Sequence, residues 1–195
     1  MEHKIENNTS AKPVNICHGS LLGSIDLDGI WSQIHGAAVE MAEHESHLKH
    51  MRDDVVISRN NLAESLAVRL ARRLSREDMQ RAELEPLFGD IFTANEAIVR
   101  SVARDMTAIV DRDPACSSAL EPLLFYKGFL AISAYRVAHS LWSEGRRSLA
   151  LYLQSIVSET FAVDIHPAAQ IGCAILLDHA TSVVIGETSI VEDNV

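Results

Sequence analysis

The chain of 195 residues is long enough for one domain of ordinary size, or for two small domains that share an interface. Its 17 Lys and Arg residues against 27 Asp and Glu residues give a net charge of −10, which argues against general binding of nucleic acid or anionic membranes. Hydrophobic residues at 47% and charged residues at 23% predict a folded globular protein and exclude disorder of the whole chain.

The first residues carry no targeting signal, and the cysteines are few. The polar start MEHKIENNTSAKPVN has no signal-peptide core, and no apolar run approaches the ~20 residues of a membrane span. These features predict a cytoplasmic protein. The three cysteines, Cys17, Cys116 and Cys173, are odd in number and widely spaced. We therefore expect free thiols in a reducing compartment, with Cys173 packed inside the fold and no zinc site.

Residues 1–24 are predicted to form a flexible tail, and residues 25–163 a helical domain. The first helix is predicted to have Asp28 as its N-cap. One face of this helix is apolar and carries Ile30, Trp31, Ile34, Ala38 and Met41. The following stretch HESHLKH, residues 44–50, has histidines spaced by three that could meet on one helix face. A solvated polar segment is the favoured interpretation over a metal site.

A second amphipathic helix is predicted from leucines at every fourth position: Leu62, Leu66, Leu70 and Leu74. Thr93 with Glu96 three residues later matches the capping-box pattern of a further helix. That helix should end before Asp113–Pro114, because proline disfavours a helical residue in front of it.

Two more helices complete the predicted helical domain. The first is expected from about Pro122 to Glu144, with Pro122 near its first turn and Gly145 at its end. The second covers roughly Arg147 to Thr160.

Beyond the helices the hydrophobic period changes to six. Aliphatic residues fall at Ile165, Ile171, Leu177, Ile185 and Val191. The single step of eight, from Leu177 to Ile185, predicts a two-residue expansion at Val183–Val184. A period of six is neither helical nor that of a strand, and it is typical of short strands stacked in a triangular coil. Residues 164–195 therefore predict the start of a left-handed parallel β-helix, so the fold class is α+β. The alternative is a valine- and isoleucine-rich sheet with this spacing by chance.

Six segments together resemble bacterial serine acetyltransferases, a family of hexapeptide-repeat acyltransferases. They are RDPA, LLFYKGF, AYRVAH, EGRRSLALYLQS, DIHPAAQIG and LDHATSVVIGET. The resemblance covers about residues 28–195 and includes the helical half, which is more specific than the repeat alone.

This resemblance implies transfer of an acetyl group from acetyl-CoA to the hydroxyl of L-serine, the first step of cysteine biosynthesis from serine. A serine hydroxyl needs a base to become a good nucleophile, and imidazole is suited to that task near neutral pH. Carried over to matching positions, His179 is the expected base, Asp164 is its orienting carboxylate, and Asp113 and Asp178 bind the amino acid.

The resemblance also implies partners. Acetyl-CoA is expected as co-substrate, without a permanently bound cofactor or metal, and L-cysteine as feedback inhibitor. A homotrimer or a dimer of trimers is expected, together with O-acetylserine sulfhydrylase, which docks on a C-terminal tail in this family. The coenzyme-binding residues stay unassigned, since neither Lys nor Arg follows Arg147 to hold the phosphates of CoA.

The sequence ends about two coils into the repeat, whereas the family's coils continue. We therefore expect a truncated chain that keeps the serine-side residues and has little or no acetyltransferase activity. Two alternatives stay open: a hexapeptide acyltransferase with another acceptor, or a non-catalytic oligomerisation module.

Overall fold

The computed structural model describes Cys17 and residues 25–195. Eight α-helices occur in this part of the chain: α1 Leu27–His44, α2 Lys49–Arg52, α3 Leu62–Leu74, α4 Arg81–Ala94, α5 Glu96–Arg112, α6 Leu120–Phe125, α7 Lys127–Ser143 and α8 Arg147–Phe161. Tight helical turns at Ser46–Leu48 and Asp53–Ile57 flank α2. Within the described residues, no helix combines the length and the apolar character that crossing a membrane requires. The predicted flexible tail, residues 1–24, lies outside the described residues apart from Cys17 and so stays a prediction.

Helix α1 is capped by Asp26 and not, as predicted, by Asp28. Asp26 has an extended backbone, and its carboxylate accepts a hydrogen bond from the Gly29 N–H at 2.9 Å. Asp28 lies two residues further on, in the first turn of the helix, where a negative charge interacts favourably with the helix dipole. The predicted apolar face is confirmed, since Ile34 and Ala38 are fully buried.

Helix α3 contains the four predicted leucines, and all of them are buried. The predicted capping box at Thr93 and Glu96 is wrong, because Thr93 lies inside α4 and Asn95 separates α4 from α5. The observed capping box joins Gln80 and Glu83 at the start of α4. Helix α5 does end at Arg112, directly before Asp113–Pro114, as predicted.

The single long helix predicted from Pro122 to Glu144 is broken at Tyr126 into α6 and α7. Tyr126 has an extended backbone (φ −85°, ψ 107°), and its carbonyl accepts the first hydrogen bond of α7, from Leu130. Apolar residues continue through the break, so the periodicity does not reveal it. The break gives α7 a helix N-terminus of its own, which lies at the pocket described below. The last helix, α8, matches its predicted span closely.

After α8 the chain forms four short strands: β1 Val163–Ile165, β2 Gln170–Ile171, β3 Val183–Ile185 and β4 Ile190–Val191. β1 pairs with β3, and β2 pairs with β4, both in parallel. Ile165 lies opposite Ile185, and Ile171 lies opposite Val191, so one coil contains 20 residues. The coil length of 20 residues equals three repeats of six residues plus the two-residue expansion predicted at Val183–Val184. The left-handed sense of the coil stays a prediction.

A disulfide joins Cys17 to Cys173, so the prediction that these cysteines are free thiols is wrong. Their Cα atoms lie 5.3 Å apart although 156 residues separate them in the sequence. Such a pairing depends on the tertiary approach of two Cβ atoms, and cysteine spacing cannot reveal it. Cys173 is buried, as predicted, but it bonds to Cys17 as well as packing in the coil. Cys116 is a buried free thiol.

Reduction of the Cys17–Cys173 disulfide is expected to lower the free energy of unfolding by about 2–4 kcal/mol, because the bond closes a long loop in the unfolded chain. The measurement is urea unfolding with and without dithiothreitol. Cys17→Ser should unfold like the reduced wild type and should not respond to the reductant. Cys116→Ser serves as the control and should keep the full response. Identical unfolding curves for oxidised and reduced wild type would contradict the prediction.

Candidate active site

One pocket of about 400 Å³ lies where the end of α5, the start of α7 and the loop after β2 meet. Three of the four predicted site residues line it: Asp113, Asp178 and His179. Apolar walls come from Ile109, Phe125, Phe129, Leu176 and Leu177. A small cavity with apolar walls and a few convergent polar groups is the usual form of a small-molecule site.

Asp113 is held at the pocket by the turn that ends α5. Its Oδ1 accepts a hydrogen bond from the Ala115 N–H at 2.9 Å, and its carbonyl accepts one from Cys116 at 3.0 Å. Pro114 cannot continue the helix, so the chain must leave α5 at this residue. The motif RDPA therefore places a half-buried carboxylate at a helix end.

Asp178 and His179 lie together on the loop between β2 and β3. The Nε2 atom of His179 is 4.0 Å from Oδ1 of Asp178, and the His179 side chain is 96% exposed. His179 and Ala180 both have left-handed backbone angles, with φ values of 49° and 47°. Consecutive non-glycine residues in this region are strained, and such strain is typically retained at functional sites.

Asp164, the fourth predicted residue, lies on β1 and does not line the pocket. Its Oδ1 accepts a hydrogen bond from the Gln154 side chain at 2.6 Å. Within the described chain, neither a hydrogen bond nor an ion pair joins Asp164 to His179, whose imidazole instead lies beside the carboxylate of Asp178. The structure thus brings together three of the four predicted residues.

The N-terminus of α7 supplies residues to which the sequence analysis assigned no role. Lys127 lines the pocket, and its Nζ donates a hydrogen bond to Thr181 Oγ1 at 2.6 Å, just beyond His179. Gly128 packs directly on the loop, since a Cβ atom at this position would lie 1.9 Å from the carbonyl oxygen of Leu177. In the sequence, these two residues stand out only as part of the motif YKGF. Their place at the pocket depends on the helix break at Tyr126, which the sequence does not reveal.

The charges at the pocket come from the two aspartates and Lys127. Burial is the main factor that raises the pKa of the Tyr126 hydroxyl, and burial likewise raises the pKa of the nearby Cys116 thiol. Both groups are therefore protonated and neutral near pH 7. Tyr126 also donates a hydrogen bond to Glu121 at 3.2 Å. The pocket is suited to a small ligand that carries a positive group toward Asp113 and Asp178.

The histidines of residues 44–50 do not form a group of metal donors. His47 is 92% exposed and contacts Glu45. In the described part of the chain, one group brings three potential donors within 4.8 Å of one another, and it consists of Cys17, Cys173 and Asp193. Two of these donors are the sulfur atoms of the disulfide, which do not bind a metal as thiolates while they are bonded to each other.

The fold and pocket define a class of proteins in which a helical bundle is joined to stacked coils of short parallel strands, with the ligand site at the junction. Residues 30–134 match the family model described as "Serine acetyltransferase, N-terminal". The chain belongs to the serine acetyltransferase family.

Individual relatives support this assignment. The chain is 46% identical over 183 residues to "Probable serine acetyltransferase 4" of Oryza sativa subsp. japonica, a match that covers 93% of this chain and 56% of the relative. A solved serine acetyltransferase in complex with CoA is 40% identical with a TM-score of 0.84, covering 86% of this chain and 71% of that one. Another, in complex with cysteine, is 40% identical with a TM-score of 0.85, covering 87% and 70%. The chain thus spans little more than half the length of the rice relative.

Proposed function

We propose that this chain provides the serine-binding half of an enzyme that transfers an acetyl group from acetyl-CoA to the hydroxyl of L-serine, the first step of cysteine biosynthesis from serine. The observation that carries the proposal is the pocket that gathers Asp113, Asp178 and His179 in a member of the serine acetyltransferase family. The relatives' names specify serine, which favours this acceptor over a sugar or an amine.

Asp113 and Asp178 bind the ammonium group of L-serine in this proposal. The two carboxylates come from different parts of the fold and line the same small pocket. A hydrogen bond between charged groups is stronger than a neutral one and contributes about 1.5–3 kcal/mol. Lys127 is the cation on the pocket wall and offsets part of the negative charge. An amino acid zwitterion matches this distribution of charge.

His179 acts as the general base that removes the proton of the serine hydroxyl during attack on the thioester. The proton moves to the imidazole and a bond forms between the serine oxygen and the acetyl carbon. The C–S bond of the thioester then breaks, and the imidazolium returns the proton to the thiolate of CoA, which leaves as the thiol. Asp164 is the proposed orienting carboxylate and stabilises the imidazolium, once the exposed His179 side chain turns toward β1.

Acetyl-CoA is the proposed co-substrate, and the complex of a relative with CoA supports it. L-Cysteine is the proposed feedback inhibitor, supported by the complex of another relative with cysteine. Cysteine shares its ammonium and carboxylate groups with serine, so Asp113 and Asp178 would hold either molecule. The residues that bind the coenzyme are not assigned to this chain.

The coils are proposed to be the left-handed parallel β-helix expected from the six-residue period. The proposed assembly is a homotrimer or a dimer of trimers, with O-acetylserine sulfhydrylase as a further partner of the whole protein. Apolar side chains on the outside of the coil support burial between subunits, since Val184 and Ile190 are each more than 60% exposed. His179 lies on the loop that precedes β3, and its 96% exposed side chain is accessible to a neighbouring subunit.

Asp113→Asn is expected to raise the Kd for L-serine and for L-cysteine by about 10- to 100-fold, because it removes a charge-assisted bond to the ammonium group. Asp178→Asn should act similarly. Isothermal titration calorimetry measures both. Asp111→Asn is the matched control, since Asp111 is exposed on α5 only two residues away, and it should bind serine like the wild type.

N-acetyl-L-serine separates ammonium recognition from other effects. It lacks the positive charge and should bind weakly to the wild type and to both variants alike. The proposal fails if the wild-type chain does not bind L-serine, or if Asp113→Asn and Asp178→Asn both leave its Kd unchanged.

A further inference from the structure

A buried ion pair joins α5 to α7 behind the pocket. Asp105 is completely buried, and Arg136 is 7% exposed. Oδ2 of Asp105 accepts hydrogen bonds from Nε and Nη2 of Arg136, at 2.9 and 2.7 Å. Removing two charges from water costs several kcal/mol per ion, so a buried pair often stabilises a protein no more than apolar side chains of the same volume. The pair therefore matters more for the groups that it holds in place than for the stability of the protein.

Both members of the pair also bind the backbone of the first coil. Arg136 Nη2 donates to the Gly172 carbonyl at 2.7 Å, and the Ile175 N–H donates to Asp105 Oδ1 at 2.9 Å. The pair therefore holds both ends of the segment Gly172–Ile175. Asp178 follows three residues after this segment, and His179 follows four residues after it.

Other polar contacts of α7 lie along the same coil. The Tyr135 hydroxyl donates to the Ala169 carbonyl at 2.5 Å, and His139 Nδ1 lies 2.7 Å from the Pro167 carbonyl oxygen. Burial lowers the pKa of His139, so the ring is neutral near pH 7, and its Nδ1–H donates to this carbonyl. These two contacts hold the earlier part of the coil, whereas the Asp105–Arg136 pair holds the part that leads to the site.

Helix α5 carries Asp105, and Asp113 directly follows the C-terminal end of this helix. The two residues are eight positions apart, which corresponds to about 12 Å along a helix. The C-terminal end of α5 thus leads into Asp113, one of the two proposed ligand carboxylates. About two turns earlier, the same helix binds the segment Gly172–Ile175, which leads to the second carboxylate, that of Asp178.

We infer that Asp105 and Arg136 are positioning residues for the serine site, which fix the segment Gly172–Ile175 and thereby place Asp178 and His179 over the pocket opposite Asp113. The inference rests on the proposed function. Neither residue touches the ligand; both act through the backbone of the coil.

Asp105→Asn and Arg136→Lys test the inference. Asparagine keeps the shape of Asp105 but removes its charge, and lysine keeps the charge of Arg136 but cannot reach Asp105 and Gly172 with one planar fork. At a temperature well below unfolding, each variant should bind L-serine about tenfold or more weakly, since small misplacements of binding groups are costly. Hydrogen exchange of the amides from Leu176 to Ala180 should be about tenfold faster than in the wild type, relative to the amides of α3.

Matched controls remove buried hydrogen bonds that do not reach the coil. The hydroxyl of Ser101 on α5 donates to the Ala97 carbonyl, and that of Ser133 on α7 donates to the Phe129 carbonyl, each within its own helix. Ser101→Ala and Ser133→Ala should lower the thermal midpoint without changing the Kd for serine. If the Asp105–Arg136 pair only stabilised the fold, its variants would behave like these controls. Hydrogen exchange would then be accelerated equally in α3 and in the loop.

The double variant Asp105→Leu with Arg136→Met keeps the test decisive if the single variants do not fold, because it buries no charge. It should bind serine as weakly as the single variants. The inference is overturned if this double variant, or the folded single variants, bind serine with wild-type affinity and also show wild-type hydrogen exchange in the loop. If the wild-type chain itself does not bind serine, the proposed function fails, and selective exchange in the loop still decides whether the pair positions it.

Discussion

Replacing His179 by alanine is expected to lower the rate of acetyl transfer from acetyl-CoA to L-serine by about 10²–10⁴-fold, the usual contribution of a general base. The hydroxyl of serine then lacks the imidazole that accepts its proton during attack in the proposed mechanism. Binding of L-serine should stay within about threefold of the wild type, because the proposed ammonium ligands, Asp113 and Asp178, are unchanged. Release of CoA, measured with a thiol reagent in the full-length enzyme, gives the rate, because the chain by itself is expected to have little or no activity.

Chemical rescue makes the His179→Ala test specific. Added imidazole can occupy the space of the lost side chain and should restore part of the rate, with no effect on the wild type. His47→Ala is the control, because His47 is equally exposed but contacts only Glu45, and it should leave the rate unchanged. A His179→Ala rate within threefold of the wild type would contradict the role of this imidazole as base.

Gly128→Ala is expected to lower the rate of acetyl transfer by about 10²-fold and to raise the Kd for L-serine, because misplacing a site by about 1 Å has effects of this size. The added Cβ would lie 1.9 Å from the Leu177 carbonyl oxygen and 3.2 Å from the Ala180 Cβ. The first contact involves backbone, so the loop that carries Asp178 and His179 has to move. The cost in stability should be about 1–3 kcal/mol, as for other overpacked positions.

Gly36→Ala and Gly89→Ala are the controls for this substitution. Both glycines lie inside helices, α1 and α4, and a Cβ at either position would meet no atom within 4 Å. Alanine favours a helix over glycine by about 1 kcal/mol, so these variants should be as stable as the wild type or more stable. Wild-type kinetics in a folded Gly128→Ala protein would show that the approach of α7 to Leu177 does not matter for the site.

Periodicity predicted most of the architecture because it records how each segment is buried. Leucines at every fourth position marked α3, and the six-residue repeat marked a coil whose length in the structure is 18 residues plus the two-residue expansion. Helix ends were predicted less well. Asp26 and Asp28 are both good capping residues, and the choice between them depends on which one has an extended backbone.

The candidate site was predicted in part. Asp113, Asp178 and His179 were named from motifs, and they line one pocket. The relation of Asp164 to His179 is still a prediction, since Asp164 is bonded to Gln154 in the structure. Lys127 and Gly128 belong to the motif YKGF, but the sequence did not indicate a role for either residue. Their position became clear from the break at Tyr126, which an uninterrupted apolar pattern conceals.

The sequence by itself determined the helical half and the period of the coil, because these depend on local order along the chain, whereas the site residues were named by resemblance to a known family. Tertiary structure alone decided that Asp105 binds Ile175, 70 residues away, and that Cys17 meets Cys173, 156 residues away. Such contacts leave no period in the sequence, since each joins segments that are far apart along the chain. The serine pocket proposed here is formed at one of these junctions, between α5, α7 and the first coil.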